Sequence, residues 1–344
     1  MTLDDKLQRG LIEVLAMNSR KLEMGGLLHT ADLECHTSAT RATVAVLLCS
    51  FNGERFLAEQ LESIGQQRGA DVHIHVSDDG SEDQTATILN DFRRRWGAGR
   101  VSLEEGPRRG YVANFFSLIC SEIEADYFAY SDQDDVWDAD KLSRAVAALS
   151  SLPKNEAGIY CSRTRLISRR GEPLGLSPLF GKPPTFANAL IQNIGGGNTM
   201  VLNCAARDLL QKVGPVDVVS HDWWTYIMVA GSGGTVIYDP HPSVRYRQHQ
   251  DNLIGSSVTW GDRFARFSLA LRGRNRAWNS RNLAALQENR VLLTRENQAI
   301  LEQYCGAREA SLVPRLLGVW RSGVHAQSRW ANLALIATTF LKKL

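Results

Sequence analysis

No apolar run in this sequence approaches the roughly 18–20 residues needed to cross a bilayer, which excludes a helical membrane span as its organising feature. No C-x-x-C pair occurs among the six cysteines, Cys35, Cys49, Cys120, Cys161, Cys204 and Cys305, so neither a zinc ribbon nor a redox pair is indicated. Cys49 and Cys120 sit inside apolar runs, and reduced structural thiols are expected. Charge of one sign is also scarce. The formal net charge of +2 is too small to make the whole molecule a nucleic-acid binder, so any electrostatic argument must be local. The opening Met1-Thr2-Leu3-Asp4-Asp5 lacks the basic end and apolar stretch of a signal peptide, and a cytoplasmic chain is the expectation. What is present is 344 residues, 44% hydrophobic and 22% charged, enough to bury a core as one large domain or one domain plus an appendage.

Residues 1–40 hold one amphipathic stretch, Leu3 to Met24, then Gly25-Gly26 and a polar segment, and are read as an N-terminal extension. The pattern then changes. Thr43 to Cys49 is a continuous apolar run of strand length, suited to a strand buried on both faces of a parallel sheet, and it ends in the turn Ser50-Phe51-Asn52-Gly53. Phe56, Leu57, Leu61 and Ile64 recur at helical spacing, and Val72 to Ser77 reads as a second strand. The unit repeats through a helix at 86–96, a strand at 101–103, a helix at 112–123 and a strand at 127–131. Strands alternating with helices predict an α/β fold with a mostly parallel, Rossmann-like central sheet and helices on both faces. Ligands bind such sheets beyond the carboxyl ends of the strands, where the polar turns after Cys49, Val76 and Ser131 fall. Short strands at 158–161, 199–203 and 235–238 and a helix at 222–230 follow, and the sequence beyond Thr259 reads as helical. The first strand ends without a G-x-G-x-x-G turn, which disfavours a nicotinamide dehydrogenase.

Ser131-Asp132-Gln133-Asp134-Asp135 places three carboxylates directly after an apolar strand. Clustered carboxylates repel, so keeping them ionised favours a bound hard cation, Mg2+ or Mn2+, shared with a diphosphate. A solvated loop capping the next helix is the other reading, but its place at the ligand edge beside Asp78 and Asp79 favours binding. Asp78-Asp79-Gly80-Ser81 fits either a helix-entry turn or a carboxylate that accepts the imide N–H of a uracil or thymine ring. Gly195-Gly196-Gly197-Asn198 has neither the lysine of a Walker loop nor dinucleotide-binding spacing; a plain loop and a close approach to ligand both remain open.

These runs, Val46 to Glu54, Val76 to Asp83 and Ser131 to Trp137, resemble the successive signatures of the bacterial family 2 glycosyltransferases with a GT-A fold. With His221-Asp222-Trp223-Trp224 and Tyr246-Arg247-Gln248-His249, they most resemble the rhamnosyltransferase-like group. The resemblance covers 43–255 and implies a catalytic domain at 41–255 followed by a helical region at 256–344. It implies that Asp78 or Asp79 holds the nucleotide base with Ser50 and Glu54, and that Arg109 or Arg108 lies near the donor phosphates. Asp132 and Asp134 match the metal-binding Asp-x-Asp, His249 completes the metal shell, and Asp222 corresponds to the catalytic base. Asp135, Trp137, Gly196, Asn198, Trp223, Trp224 and Arg247 are expected around the sugar or acceptor. The implied reaction is an inverting transfer of L-rhamnose from dTDP-L-rhamnose to an oligosaccharide or lipid-linked glycan of a surface polysaccharide or lipopolysaccharide. A UDP-glucose or UDP-galactose enzyme is the nearest alternative, and a noncatalytic nucleotide-sugar-binding assembly protein the alternative of another class.

Between His241 and Arg281 stand eight arginines and only two acidic residues, Asp251 and Asp262. With Phe264, Phe267, Leu269 and Leu271 interleaved, and with Trp330 to Leu341 ending in Lys342-Lys343, the C-terminal region is expected to lie on the cytoplasmic face of the inner membrane, with a solvated basic face or a nucleic-acid patch as the alternatives.

Overall fold

The computed structural model describes residues 41–249 and 274–344. The expected extension at 1–40, the 255/256 boundary, and Arg263, Phe264, Arg266, Phe267, Leu269, Leu271 and Arg272 lie outside the described residues. Four strands, β1 (Thr43–Ser50), β2 (Asp71–Asp78), β3 (Val101–Glu105) and β4 (Tyr127–Ser131), alternate with α1 (Leu57–Gly65), α2 (Thr85–Trp96) and α3 (Tyr111–Ile119). They pair in parallel in the order β3-β2-β1-β4. The continuous apolar run of β1 is explained by its two faces. Ala45, Leu47 and Cys49 join a core with Phe115 and Phe116 of α3, while Val44, Val46 and Leu48 join a second core with Leu57 and Leu61 of α1 and Phe92 of α2. Complete burial of each of these Val and Leu side chains contributes about 1.5–3 kcal/mol before the entropy of ordering is counted.

The second half is less regular. It runs through β5 (Val136–Trp137), α4 (Lys141–Leu149), β6 (Gly158–Ile167), β7 (Pro173–Leu176), α5 (Phe186–Ala189), β8 (Val201–Asn203), α6 (Cys204–Val213), α7 (His221–Gly231) and β9 (Thr235–Arg247). The parallel pattern stops at β4: β8 inserts antiparallel between β4 and β6, β6 pairs in parallel with β9, and β5 lies antiparallel on β9. The strand expected to end at Tyr238 continues through Pro240 and Pro242 to Arg247, and its ladder with β6 shifts register between Ser162 and Thr164, where the prolines have no N–H to donate. That extension carries residues 245–249 back behind the acidic loop. Four helices close the chain: α8 (Arg274–Glu288), α9 (Arg295–Glu309), α10 (Leu312–Arg321) and α11 (Arg329–Phe340). Leu283, Leu286, Leu301 and Tyr304 belong to the same core as α7, and Asn297 Nδ2 donates to the Gly231 carbonyl at the end of α7. No helix among the described residues is long and apolar enough to cross a membrane.

Candidate active site

The turns that follow β1, β2 and β4 are bonded to one another. Ser50 Oγ donates to Asp78 Oδ1 (2.7 Å), and the Ser50 carbonyl accepts from the Asp79 amide (2.8 Å). Asn52, held at φ 49°, donates from its amide to Ser81 Oγ and accepts at Oδ1 from the Glu82 amide. Glu54 accepts at Oε2 from the Gln84 amide (3.1 Å). Gln133 completes the lattice: its Oε1 accepts from the Phe51 amide and its Nε2 donates to the Phe51 carbonyl, both at 2.9 Å. A Cβ at Gly53 would run into the Gln133 amide, which accounts for the glycine in the first turn.

Asp79 anchors the next loop. Its two carboxylate oxygens accept from the Arg108 amide (2.5 Å) and the Gly110 amide (2.8 Å), with Arg108 at φ 55°. Gly106 donates to the Asp78 carbonyl (2.7 Å), and a Cβ there would lie 2.9 Å from Asp79 Cα and 3.0 Å from that carbonyl oxygen. Both contacts are backbone, so Gly106→Ala should lower stability by about 1–3 kcal/mol through overpacking. Urea denaturation measures it, and an unchanged midpoint would refute the close approach.

These turns form one wall of a cleft of about 2500 Å³. Its floor carries Asp132 and Asp134. Asp132 is partly buried, and desolvation together with the charges of Asp134 and Asp222 pushes its pKa up to about 8. His249 Nε2 lies 2.7 Å from Asp134 Oδ2, and its ring stands 5.4 Å from that of Phe56. Asp135 points the other way, fully buried, accepting from Asn198 Nδ2 (2.6 Å) and the Arg247 amide (3.0 Å). Burial, then Asp134 and Asp132, holds its carboxyl well above the usual range. Among the described residues no three His, Cys, Asp or Glu side chains converge closely enough to cage a cation. A divalent ion carried with a diphosphate needs no such cage, since one or two carboxylates suffice and phosphate and water supply the rest. The donor set of Asp132, Asp134 and His249 fits that ion, whose charge would offset the repulsion between the Asp132 and Asp134 carboxylates.

Opposite stands Asp222, in the first turn of α7, where the helix N-terminus favours an anion. Its Oδ2 accepts from Asn193 Nδ2 and the Gly197 amide, each at 3.0 Å, and its Oδ1 from the Trp223 amide (2.7 Å). The glycine triplet is explained by packing: a Cβ at Gly195 would meet Cys161, at Gly196 Asn198, and at Gly197 His221. His221 stacks on Phe115 with centroids 3.7 Å apart, and burial lowers its pKa to about 4, so it is uncharged at neutral pH. Neither of its ring nitrogens has a hydrogen-bond partner among the described residues. Gly197→Ala would push His221, the neighbour of Asp222 on α7, and we expect at least a tenfold loss of turnover with the fold retained, checked by steady-state assay beside circular dichroism.

A family model described as glycosyl transferase family 2 matches residues 45–203. The chain is 27% identical over 233 residues to the dTDP-rhamnosyl transferase RfbG of Shigella flexneri, covering 64% of this chain and 78% of that protein. Residues 45–203 thus carry the pattern of glycosyl transferase family 2. An uncharacterised glycosyltransferase of Rickettsia typhi is 21% identical over 62% of this chain and 67% of its own length. Among solved structures, the S. aureus TarS 1-349 complex with UDP-GlcNAc superposes with a TM-score of 0.55 over 88% of both chains at 14% identity, a likeness of fold. The fold is therefore GT-A, and the matched stretch is of the glycosyltransferase type.

The cleft gathers Ser50, Glu54, Asp79, Asp132, Asp134, Gly196, Asn198, Asp222, Trp223 and His249. Several expected residues are elsewhere. Asp78 is not on the cleft surface, because the Ser50 and Ser81 hydroxyls occupy its carboxylate. Arg108, not Arg109, faces the cleft, as the left-handed turn at 108 directs it there. Trp137 is buried under Lys141, whose Nζ lies 3.5 Å from its ring centroid, and Trp224 is fully buried in the core. Asp135 supports the loop from behind. Arg247 does the same, donating to the Asp134 carbonyl (2.9 Å) and to Glu59 (2.5 Å), while Arg245 lies 3.7 Å from Asp138. Sequence reasoning missed Gln133, Asn193 and His221. Only Gln133 and His221, embedded in the quoted motifs, carried a signal.

Proposed function

We propose that this protein is a glycosyltransferase that transfers L-rhamnose from dTDP-L-rhamnose, with inversion, to an oligosaccharide or lipid-linked glycan acceptor of a surface polysaccharide or lipopolysaccharide. The observation that carries the reading is the pairing of Asp222 with the Asp132–Asp134 loop on the same cleft, near enough for their charges to act on one another. The relative named as a dTDP-rhamnosyl transferase supports the sugar.

Asp222 is the base. It takes the proton of the acceptor hydroxyl as the acceptor oxygen bonds to the anomeric carbon, while the bond from that carbon to the diphosphate oxygen breaks on the opposite face. Asn193 and the Gly197 and Trp223 amides hold the carboxylate in one orientation through this step. Asp79 and Ser50 would meet the thymine and ribose and Arg108 the phosphates, a reading supported by the place of all three on the cleft wall. Asp132, Asp134 and His249 would hold Mg2+ or Mn2+, which when bound stabilises charge on the departing diphosphate. His221, uncharged and stacked on Phe115, packs beside Asp222 without placing a positive charge next to it.

Titrating the protein with dTDP-L-rhamnose, UDP-glucose and UDP-galactose, each with and without manganese, tests the donor. Turnover with dTDP-L-rhamnose is expected; turnover with a UDP-sugar alone removes the rhamnosyl assignment, and binding without turnover favours a noncatalytic assembly protein.

A further inference from the structure

Among the described residues, the C-terminal helices leave an apolar face uncovered. On α11, Trp330, Leu333, Ile336 and Phe340 recur every three to four residues and so form one stripe, with 73%, 55%, 58% and 59% of their surface exposed. The inward side is complete: Leu335 packs on the core, Thr338 and Thr339 are buried, and Arg315 of α10 donates to the Thr339 carbonyl. α10 carries a second exposed stripe, Val313, Leu317 and Trp320, opposite its buried Arg315 and Val319. Soluble surfaces seldom keep contiguous apolar patches of this kind uncovered.

Charge identifies what covers it. From Ala310 to Leu344 there is no aspartate or glutamate, whereas Arg321, Arg329, Lys342 and Lys343 stand at the helix ends. A second copy of the chain would set like charges against like charges. Apolar stripes with cationic ends and tryptophans at their margins match the border of an anionic bilayer. The position is also functional, because Trp330 and Leu333 line the same cleft as Asp222.

We propose that the exposed face of α10 and α11 docks on an anionic lipid bilayer, so that the catalytic cleft opens at the membrane surface and receives an acceptor carried on a lipid. The acceptor half rests on the transferase reading above; the docking half does not. The test is sedimentation of the full chain with vesicles of phosphatidylcholine alone or with about a third phosphatidylglycerol. Binding to the anionic vesicles should exceed binding to the neutral ones by at least about tenfold and fall at high salt. Ile336→Ser/Phe340→Ser, neither residue lining the cleft, should lower it about tenfold or more with nucleotide-sugar affinity unchanged. A fluorophore on Ile336→Cys should shift to the blue with the anionic vesicles, independently of the double variant's folding. Absence of anionic-vesicle binding, equal binding by the double variant, or a wild-type dimer that the double variant dissociates would overturn docking. Vesicle binding without sugar transfer from any donor would sustain docking and defeat the transferase reading instead.

Discussion

Asp222→Asn is expected to lower the turnover number for sugar transfer by about 10²–10⁴-fold, the range of general-base contributions, with little change in donor affinity. Asparagine fills the same volume and can still accept at one oxygen, but it cannot take the acceptor proton. Its amide would also face the Asn193 and Gly197 N–H groups that now donate to Oδ2. The cost to folding should be modest, since losing an anion at a helix N-terminus removes about 0.3–1 kcal/mol. Steady-state kinetics beside a donor titration separate the two effects. Activity within a few-fold of wild type would place the base elsewhere.

The second large effect concerns the floor of the cleft. Asp134→Asn should abolish the manganese-dependent part of donor binding, a loss of about 10²-fold or more if the ion supplies several kcal/mol of charge stabilisation. In the ion-free protein the same change should stabilise the fold. The Asp132 pKa near 8 is far above that of an unfolded chain, so between about pH 4 and pH 8 the unfolded state has released a proton that the folded state retains. Stability of the ion-free protein therefore falls as pH rises through that window, and removing the Asp134 charge should flatten the fall. Thermal melts across the window, with and without manganese, test both signs. A variant less stable at neutral pH, or one with undiminished manganese dependence, would contradict the assignment.

The limits of reading this site in the sequence were physical. β1, β2 and β4 were legible because strands buried on both faces become unbroken apolar runs, and the turns at their carboxyl ends fall on the ligand edge by topology. β8 was expected within 199–203, but its antiparallel insertion depends on partners distant in the chain, which periodicity cannot express. Trp137 and Trp224 sit within motifs, yet a side chain's direction depends on strand and helix phase, which turned both into the core. The choice between Arg108 and Arg109 came down to one left-handed backbone angle. Arg247 was expected around the sugar or acceptor; the continuation of β9 past two prolines placed it behind the acidic loop instead. Gln133 stood in the quoted motif, but only the structure showed that its amide joins two turns by a reciprocal pair of hydrogen bonds.

The most direct measurement is a crystal structure with dTDP-L-rhamnose and manganese. The diphosphate should lie against Asp132, Asp134 and His249, with the anomeric carbon between it and Asp222 and the thymine beside Asp79. A diphosphate bound away from the acidic loop, or a sugar whose anomeric carbon faces away from Asp222, would contradict the assignment of this cleft.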